Sequence, residues 1–141
     1  MSKQTGGRGQ PPPRVFVFDC EALSLAVRGD RKTIAWLDLA ARGQVEVLTS
    51  PITVVEAHDG RTTERRWDWV LSRLNVPDVG KADARLARRL LAEAELHGHK
   101  HAIDAVLAVI ARRQKGQVTV FTSDVDDLEK LVPDTIVVKK V

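Results

Sequence analysis

Residues 98–116 of the chain read GHKHAIDAVLAVIARRQKG, and this stretch decides the fold because it predicts a buried helix. Between Ala102 and Ala111 every residue except Asp104 is apolar, and a helix that is apolar on all sides lies inside a protein. Asp104 stands in the first turn of that predicted helix, where the chain enters the interior. A buried carboxylate is costly unless backbone N–H groups, an ion pair or a metal ion compensates its charge. Asp104 is therefore either a capped structural residue or part of a site.

Apolar strands and amphipathic helices alternate on both sides of this stretch. The apolar runs predict strands at residues 14–18, 45–49, 118–122 and 135–138. Helical spacing of apolar residues, with Ser50 and Pro51 as a helix start, predicts further helices at residues 21–27, 32–42, 51–58, 64–74, 82–96 and 127–131. Strands that alternate with helices predict an α/β fold with a mostly parallel sheet.

Composition and charge bound the class of protein. The chain has 141 residues, of which 43% are hydrophobic and 29% charged, as is usual for one soluble globular domain. Its net charge of +3 permits a polyanionic partner without requiring one. A single cysteine, Cys20, excludes an internal disulfide and fits a reducing cytosol. No apolar run approaches the roughly 18–20 residues of a membrane span, so we expect a cytoplasmic protein without a membrane partner.

The chain divides into a short leader and one domain. Residues 1–13 are rich in Gly and Pro and contain no apolar run, which predicts a flexible leader and not a secretory signal. Residues 14–141 form the single predicted domain.

Two acidic residues follow two of the predicted buried strands. Asp19 comes directly after the strand at 14–18, and Asp124 follows the strand at 118–122 after Ser123. In open parallel sheets, ligands bind outside the carboxyl ends of the strands. These two acids are therefore candidates for one site, although either could instead cap the helix that follows it.

Two further carboxylates could reach the same edge of the sheet. Glu56 ends the apolar stretch 52–55, and Asp104 would open onto this edge if its helix runs back from it. Carboxylates brought together repel one another strongly unless a cation lies among them. Oxygen ligands of this kind suit Mg²⁺ or Mn²⁺, and such a site can activate water and neutralise a phosphate group.

The four acidic motifs resemble the motif series of PIN-domain ribonucleases, with the bacterial VapC-type toxins as the nearest branch. The motifs are Asp19 after the first strand, Glu56 in VVEA, Asp104 in AIDAVLA, and TSDVDDL at residues 122–128. The resemblance covers residues 14–141. It implies a three-layer α/β/α sandwich (PIN-like) and Mg²⁺- or Mn²⁺-dependent endoribonuclease activity on RNA. It also implies a homodimer that a cognate antitoxin protein inhibits.

The resemblance also implies which residues hold the metal. Asp19, Glu56 and Asp104 carry over directly as metal ligands and catalytic residues. For the fourth ligand, Asp124 matches the position after the strand and is preferred, Asp127 is the second choice, and Asp126 is a spare. Where the family often has a small hydroxyl residue, two places after Asp19, this chain has Glu21. Glu21 could add a carboxylate to the cluster or begin a helix that faces solvent.

His97, His99 and His101 alternate just before Asp104. This is not a usual spacing of zinc ligands, and no cysteine supports one. We therefore interpret the three as a polar loop before the helix, with the alternative that one of them contacts a substrate phosphate or moves a proton.

Two other functions remain open. A phosphatase with an aspartyl nucleophile would need a second Asp two places after Asp19, where the chain has Glu21. A catalytically inactive PIN-like module would bind RNA or an antitoxin-like protein through the same fold.

Overall fold

The structure is a computed structural model that describes residues 12–141, so most of the leader predicted at residues 1–13 lies outside the described residues. The strands are β1 (Arg14–Phe18), β2 (Glu46–Leu48), β3 (Gln117–Thr122) and β4 (Val137–Lys140). The helices are α1 (Cys20–Arg28), α2 (Arg31–Ala41), α3 (Pro51–Glu56), α4 (Glu64–Leu71), α5 (Lys81–Ala94), α6 (Gly98–Arg112) and α7 (Val125–Glu129).

The four strands form one sheet in the order β2-β1-β3-β4, and every pair is parallel. At the centre, Val17 of β1 lies between Leu48 of β2 and Val120 of β3. The mostly parallel sheet predicted from the sequence is confirmed. Because all strands run the same way, the residues that follow β1, β2 and β3 meet at one edge.

Helices cover both faces of the sheet. Successive side chains of a strand point to opposite faces: Phe16 and Phe18 pack in the core cluster that contains Leu23 of α1 and Leu37 of α2. Val15 and Val17 pack in the cluster that contains residues of α6 and α7 (Leu107, Ile110 and Leu128). The three-layer α/β/α architecture is therefore present, with the sheet as the middle layer.

Helix α6 is longer at its start than its apolar run predicts. It begins at Gly98, so Asp104 lies in its second turn, and the prediction of a first-turn position was wrong. Leu107 and Ile110 are fully buried, whereas Ala102 is exposed. The helix is thus buried toward its carboxyl end and reaches the surface at its polar first turn.

Two elements near the carboxyl end are displaced from their predicted positions. Helix α7 covers 125–129 and not 127–131, because the backbone N–H of Leu128 already bonds the carbonyl of Asp124. Strand β4 covers 137–140 and not 135–138, since a hydrogen bond from Ile136 N–H to the carbonyl of Pro133 holds the preceding residues in a turn.

Within residues 12–141, every helix is too short or too polar to cross a bilayer.

Candidate functional site

A cavity of about 210 Å³ opens at the carboxyl edge of the sheet. Four of the five predicted site residues line it: Asp19, Glu56, Asp104 and Asp124. The other lining residues are Cys20, Thr53, Lys100, Ile103, Leu107 and Ser123. The acids come from the ends of β1 and β3 and from helices α3 and α6, so only the folded chain brings them together.

Asp19 is held in the cavity by two backbone hydrogen bonds. Its side chain is buried, and its Oδ1 accepts a hydrogen bond from Ala22 N–H of α1 at 2.9 Å. Its Oδ2 accepts a second bond from the backbone N–H of Ser123 at 3.0 Å. Asp19 therefore both caps α1 and ties the end of β1 to the end of β3. The capping role and the site role that the sequence left as alternatives are compatible in this residue.

Glu56 reaches the cavity because of the way α3 begins. Ser50 follows β2 and caps the helix, its hydroxyl accepting from Thr53 N–H at 2.9 Å, with Pro51 in the first turn as predicted. The helix has six residues and ends at Glu56. Glu56 is exposed overall, but partial desolvation of its carboxyl and the charge of Asp19 raise its pKa, against the opposing effect of a hydrogen bond with Cys20.

Asp104 carries the largest electrostatic cost among these acids. Burial raises the pKa of its carboxyl from 3.8 to about 7, and the charges of Asp124, Asp19 and Glu56 act in the same direction. A carboxyl in this position binds a proton or a cation readily. Asp104 thus lies at the centre of the negative charge.

The three acids at the start of α7 occupy different places. Asp124 lines the cavity but is exposed, and partial desolvation of its carboxyl together with a hydrogen bond from its side chain to Asp127 raises its pKa. Asp127 is partly buried beside the cavity, with Lys130 Nζ 4.0 Å from its Oδ1. Asp126 is exposed, and within residues 12–141 it does not line the cavity. It also does not belong to the possible metal-binding group of His101, Asp104 and Asp127.

One histidine joins the acids. His101, Asp104 and Asp127 each offer a ligand atom, and these atoms lie within 4.8 Å of one another. The interpretation of the three histidines as a loop was wrong for His99 and His101, because α6 already begins at Gly98. His101 and Asp104 are three residues apart and thus share one face of the helix. That spacing was the signal in the sequence that could have revealed this group.

Glu21 takes no part in the cavity. It lies on α1, where its Oε2 is 3.3 Å from Nη2 of Arg28, and both side chains are exposed. Of the two roles left open for Glu21, the structure selects the helix residue that faces solvent. An aspartyl phosphatase would need an aspartate two places after Asp19, and this chain has there a glutamate that forms a surface ion pair with Arg28.

Cys20 lines the cavity but is poorly suited to be a nucleophile. Burial, and then the charge of Glu56, raise the pKa of its thiol to about 11, and the thiolate is the reactive form. We expect the native protein to react with iodoacetamide at pH 7.5 at least about 10-fold more slowly than the same protein in denaturant. Mass spectrometry of quenched samples measures both rates on this single cysteine. Equal rates would show an ordinary, accessible thiol.

Comparisons with known proteins identify the fold. No family model matches the chain, and no curated protein matches it in sequence. Among solved structures it is similar to a chain of VapBC2 from Rickettsia felis, crystallised with a DNA fragment from the promoter. The two share 14% identity over 90% of this chain and 98% of that chain, with a TM-score of 0.63. At this identity the likeness shows the fold alone, and it confirms the predicted PIN-like α/β/α class.

Proposed function

We propose that this chain is a divalent-metal-dependent endoribonuclease and the toxin of a toxin–antitoxin pair. The observation that carries the proposal is the meeting of four carboxylates, Asp19, Glu56, Asp104 and Asp124, around one cavity at the carboxyl edge of the sheet. Burial raises the pKa of Asp104 to about 7, and the charges of Asp124, Asp19 and Glu56 add to that shift because carboxylates that share a cavity repel one another. A divalent cation would relieve that repulsion.

The donor set fits Mg²⁺ or Mn²⁺. Carboxylate oxygens are the ligands that these ions prefer, and Asp19, Glu56, Asp104 and Asp124 would hold the ion, with Asp127 alongside. When bound, such a cation lowers the pKa of water and neutralises the charge of a phosphodiester. The role of the protein is then to hold its carboxylates in the positions that bind the cation. Asp19 does so through its two backbone hydrogen bonds.

The remaining lining residues suit a phosphodiester substrate without covalent catalysis. Lys100 is the one cationic residue that lines the cavity in the described part of the chain, and its exposed side chain can attract a phosphate to an otherwise negative edge. Cys20, whose thiol pKa is about 11, is not expected to form a covalent intermediate. Direct attack by water is therefore the proposed reaction, with Lys100 orienting the substrate.

The proposed partners are an RNA substrate, an antitoxin and a second copy of the chain. Support for the antitoxin comes from the VapBC2 neighbour, whose crystal contains a complex bound to promoter DNA. A groove of about 280 Å³ between α3 and α4 adds a surface for a protein partner, lined in part by Trp67, Leu71 and the largely exposed Val55. Of these three side chains, Val55 is exposed, Leu71 is partly buried and Trp67 is buried in the core, so Val55 is the apolar contact that the groove offers a partner.

The direct test is cleavage of RNA by the purified protein with and without metal. We expect a mixture of structured RNAs to be cut in Mn²⁺ or Mg²⁺ and left intact in excess EDTA, with cleavage restored when the metal is returned. The variant Glu21→Gln, whose substitution lies outside the cavity, should cut RNA as the unaltered protein does. Equal cleavage in excess chelator would overturn the metal mechanism. No cleavage under any metal condition, with antitoxin binding intact, would favour the inactive binding module.

A further inference from the structure

His101 is a buried imidazole at the start of a mostly buried helix. It is 7% exposed, whereas His97 and His99 on either side are exposed. A polar ring costs free energy in the interior unless it gains a partner there. The burial of His101 alone among these three histidines therefore calls for an explanation in terms of what it faces.

The ring faces two carboxylates. Its Nδ1 lies 3.5 Å from Oδ2 of Asp127, which is longer than an ordinary N–H···O hydrogen bond. Asp104 is on the same face of α6, and the ligand atoms of all three side chains lie within 4.8 Å of one another. Ligand atoms on opposite sides of an ion bound at about 2.0–2.2 Å are about 4.3 Å apart. Small side-chain movements are enough to close these three around a cation.

The local charge favours a cation over a simple ion pair. Asp104, Asp124 and Asp127 lie together, and the charges of Asp124 and Asp127 both act on Asp104. The nearest fixed cation to Asp127 is Lys130, whose Nζ is 4.0 Å from Oδ1 and whose side chain is mostly exposed. An exposed amine at this distance compensates little charge. Lys100, whose charge acts on Asp124, is exposed as well, so negative charge remains for another ligand to neutralise.

We propose that His101, Asp104 and Asp127 form a mixed nitrogen and oxygen site for a first-row transition-metal cation, beside the carboxylate cavity and sharing Asp104 with it. Imidazole nitrogen is a ligand for transition metals, whereas Mg²⁺ is bound through oxygen. The ligand set thus gives the protein a preference for Mn²⁺ and its neighbours over Mg²⁺. Binding of the metal at this site does not depend on the proposed function. Only the use of the metal in RNA cleavage rests on the proposed function.

Pulsed EPR on Mn²⁺ tests the nitrogen ligand directly. Metal-free protein is loaded with one equivalent of Mn²⁺, and we expect hyperfine coupling to ¹⁴N, replaced by ¹⁵N lines when only histidine is ¹⁵N-labelled. His101→Gln should lose this coupling. Calorimetry should show its Kd for Mn²⁺ raised by about 10–100-fold, and its Kd for Mg²⁺ changed by less than about 3-fold. His99→Gln, two residues earlier in α6 and exposed, is the matched control and should keep the coupling.

The proposal and the nuclease function can fail separately. Mn²⁺ bound through oxygen only in the unaltered protein, no Mn²⁺ binding, or nitrogen coupling that persists in His101→Gln would each overturn the mixed site. If His101→Gln does not fold, the presence or absence of nitrogen coupling in the spectrum of the unaltered protein still tests the mixed site. Nitrogen-coupled Mn²⁺ without RNA cleavage would instead support the site and contradict the proposed function.

Discussion

Replacement of Asp104 by Asn is expected to lower RNA cleavage by more than about 100-fold. Groups that only support metal ligands commonly contribute 10–100-fold to metal affinity or activity, and Asp104 is central to both the cavity and the group with His101. Asn keeps the shape of the side chain but removes the charge that would hold a cation. Initial rates on one RNA substrate in saturating Mn²⁺ measure the loss.

Asp126→Asn is the matched control for this substitution. It removes one carboxylate from the same acidic region, but Asp126 is exposed on α7 and lies outside the cavity lining of the described chain. We expect it to retain activity, and circular dichroism should show that both variants are folded. If Asp104→Asn and Asp126→Asn cut RNA equally well, the carboxylate cavity is not the catalytic centre.

The same Asp104→Asn substitution is expected to stabilise the metal-free protein at alkaline pH. The pKa of Asp104 is raised from 3.8 to about 7 in the folded chain. The stability from this group is therefore fully present below pH 3.8 and is lost as the pH rises through 7. Asn resembles the protonated form and avoids that loss. Because part of the carboxyl contacts solvent, we expect the free energy of unfolding to rise by about 1–2 kcal/mol at pH 8. This is well below the free energy that the full pKa shift would correspond to.

Urea denaturation in EDTA at pH 8 and pH 4.5 measures this effect. Most of the gain should disappear at pH 4.5, where the carboxyl of the folded chain is protonated. Saturating Mn²⁺ at pH 8 should reverse the order, since the cation stabilises the protein that binds it more tightly. Asp126→Asn should change the free energy of unfolding by less than about 0.5 kcal/mol. A loss of stability in Asp104→Asn at pH 8 would show that the carboxylate is compensated within the protein.

The sequence by itself was sufficient for the order of elements and the fold class. Apolar strands such as residues 14–18 and the amphipathic helix α5 carry their periodicity in the chain, and the caps at Ser50 and Pro51 are local signals that do not depend on tertiary contacts. The acids that follow β1 and β3 could be assigned to one edge because parallel strands end there together.

The tertiary structure alone decided which polar side chains face one another. Asp19 is joined to Ser123 across 104 positions of sequence, and neither partner signals the other locally. The same is true of Glu21, which pairs with Arg28 at the surface, and of His101, which turns inward beside Asp104 and toward Asp127. Local periodicity determines which face of a helix is buried, but the neighbours of a polar group on that face depend on how distant elements pack.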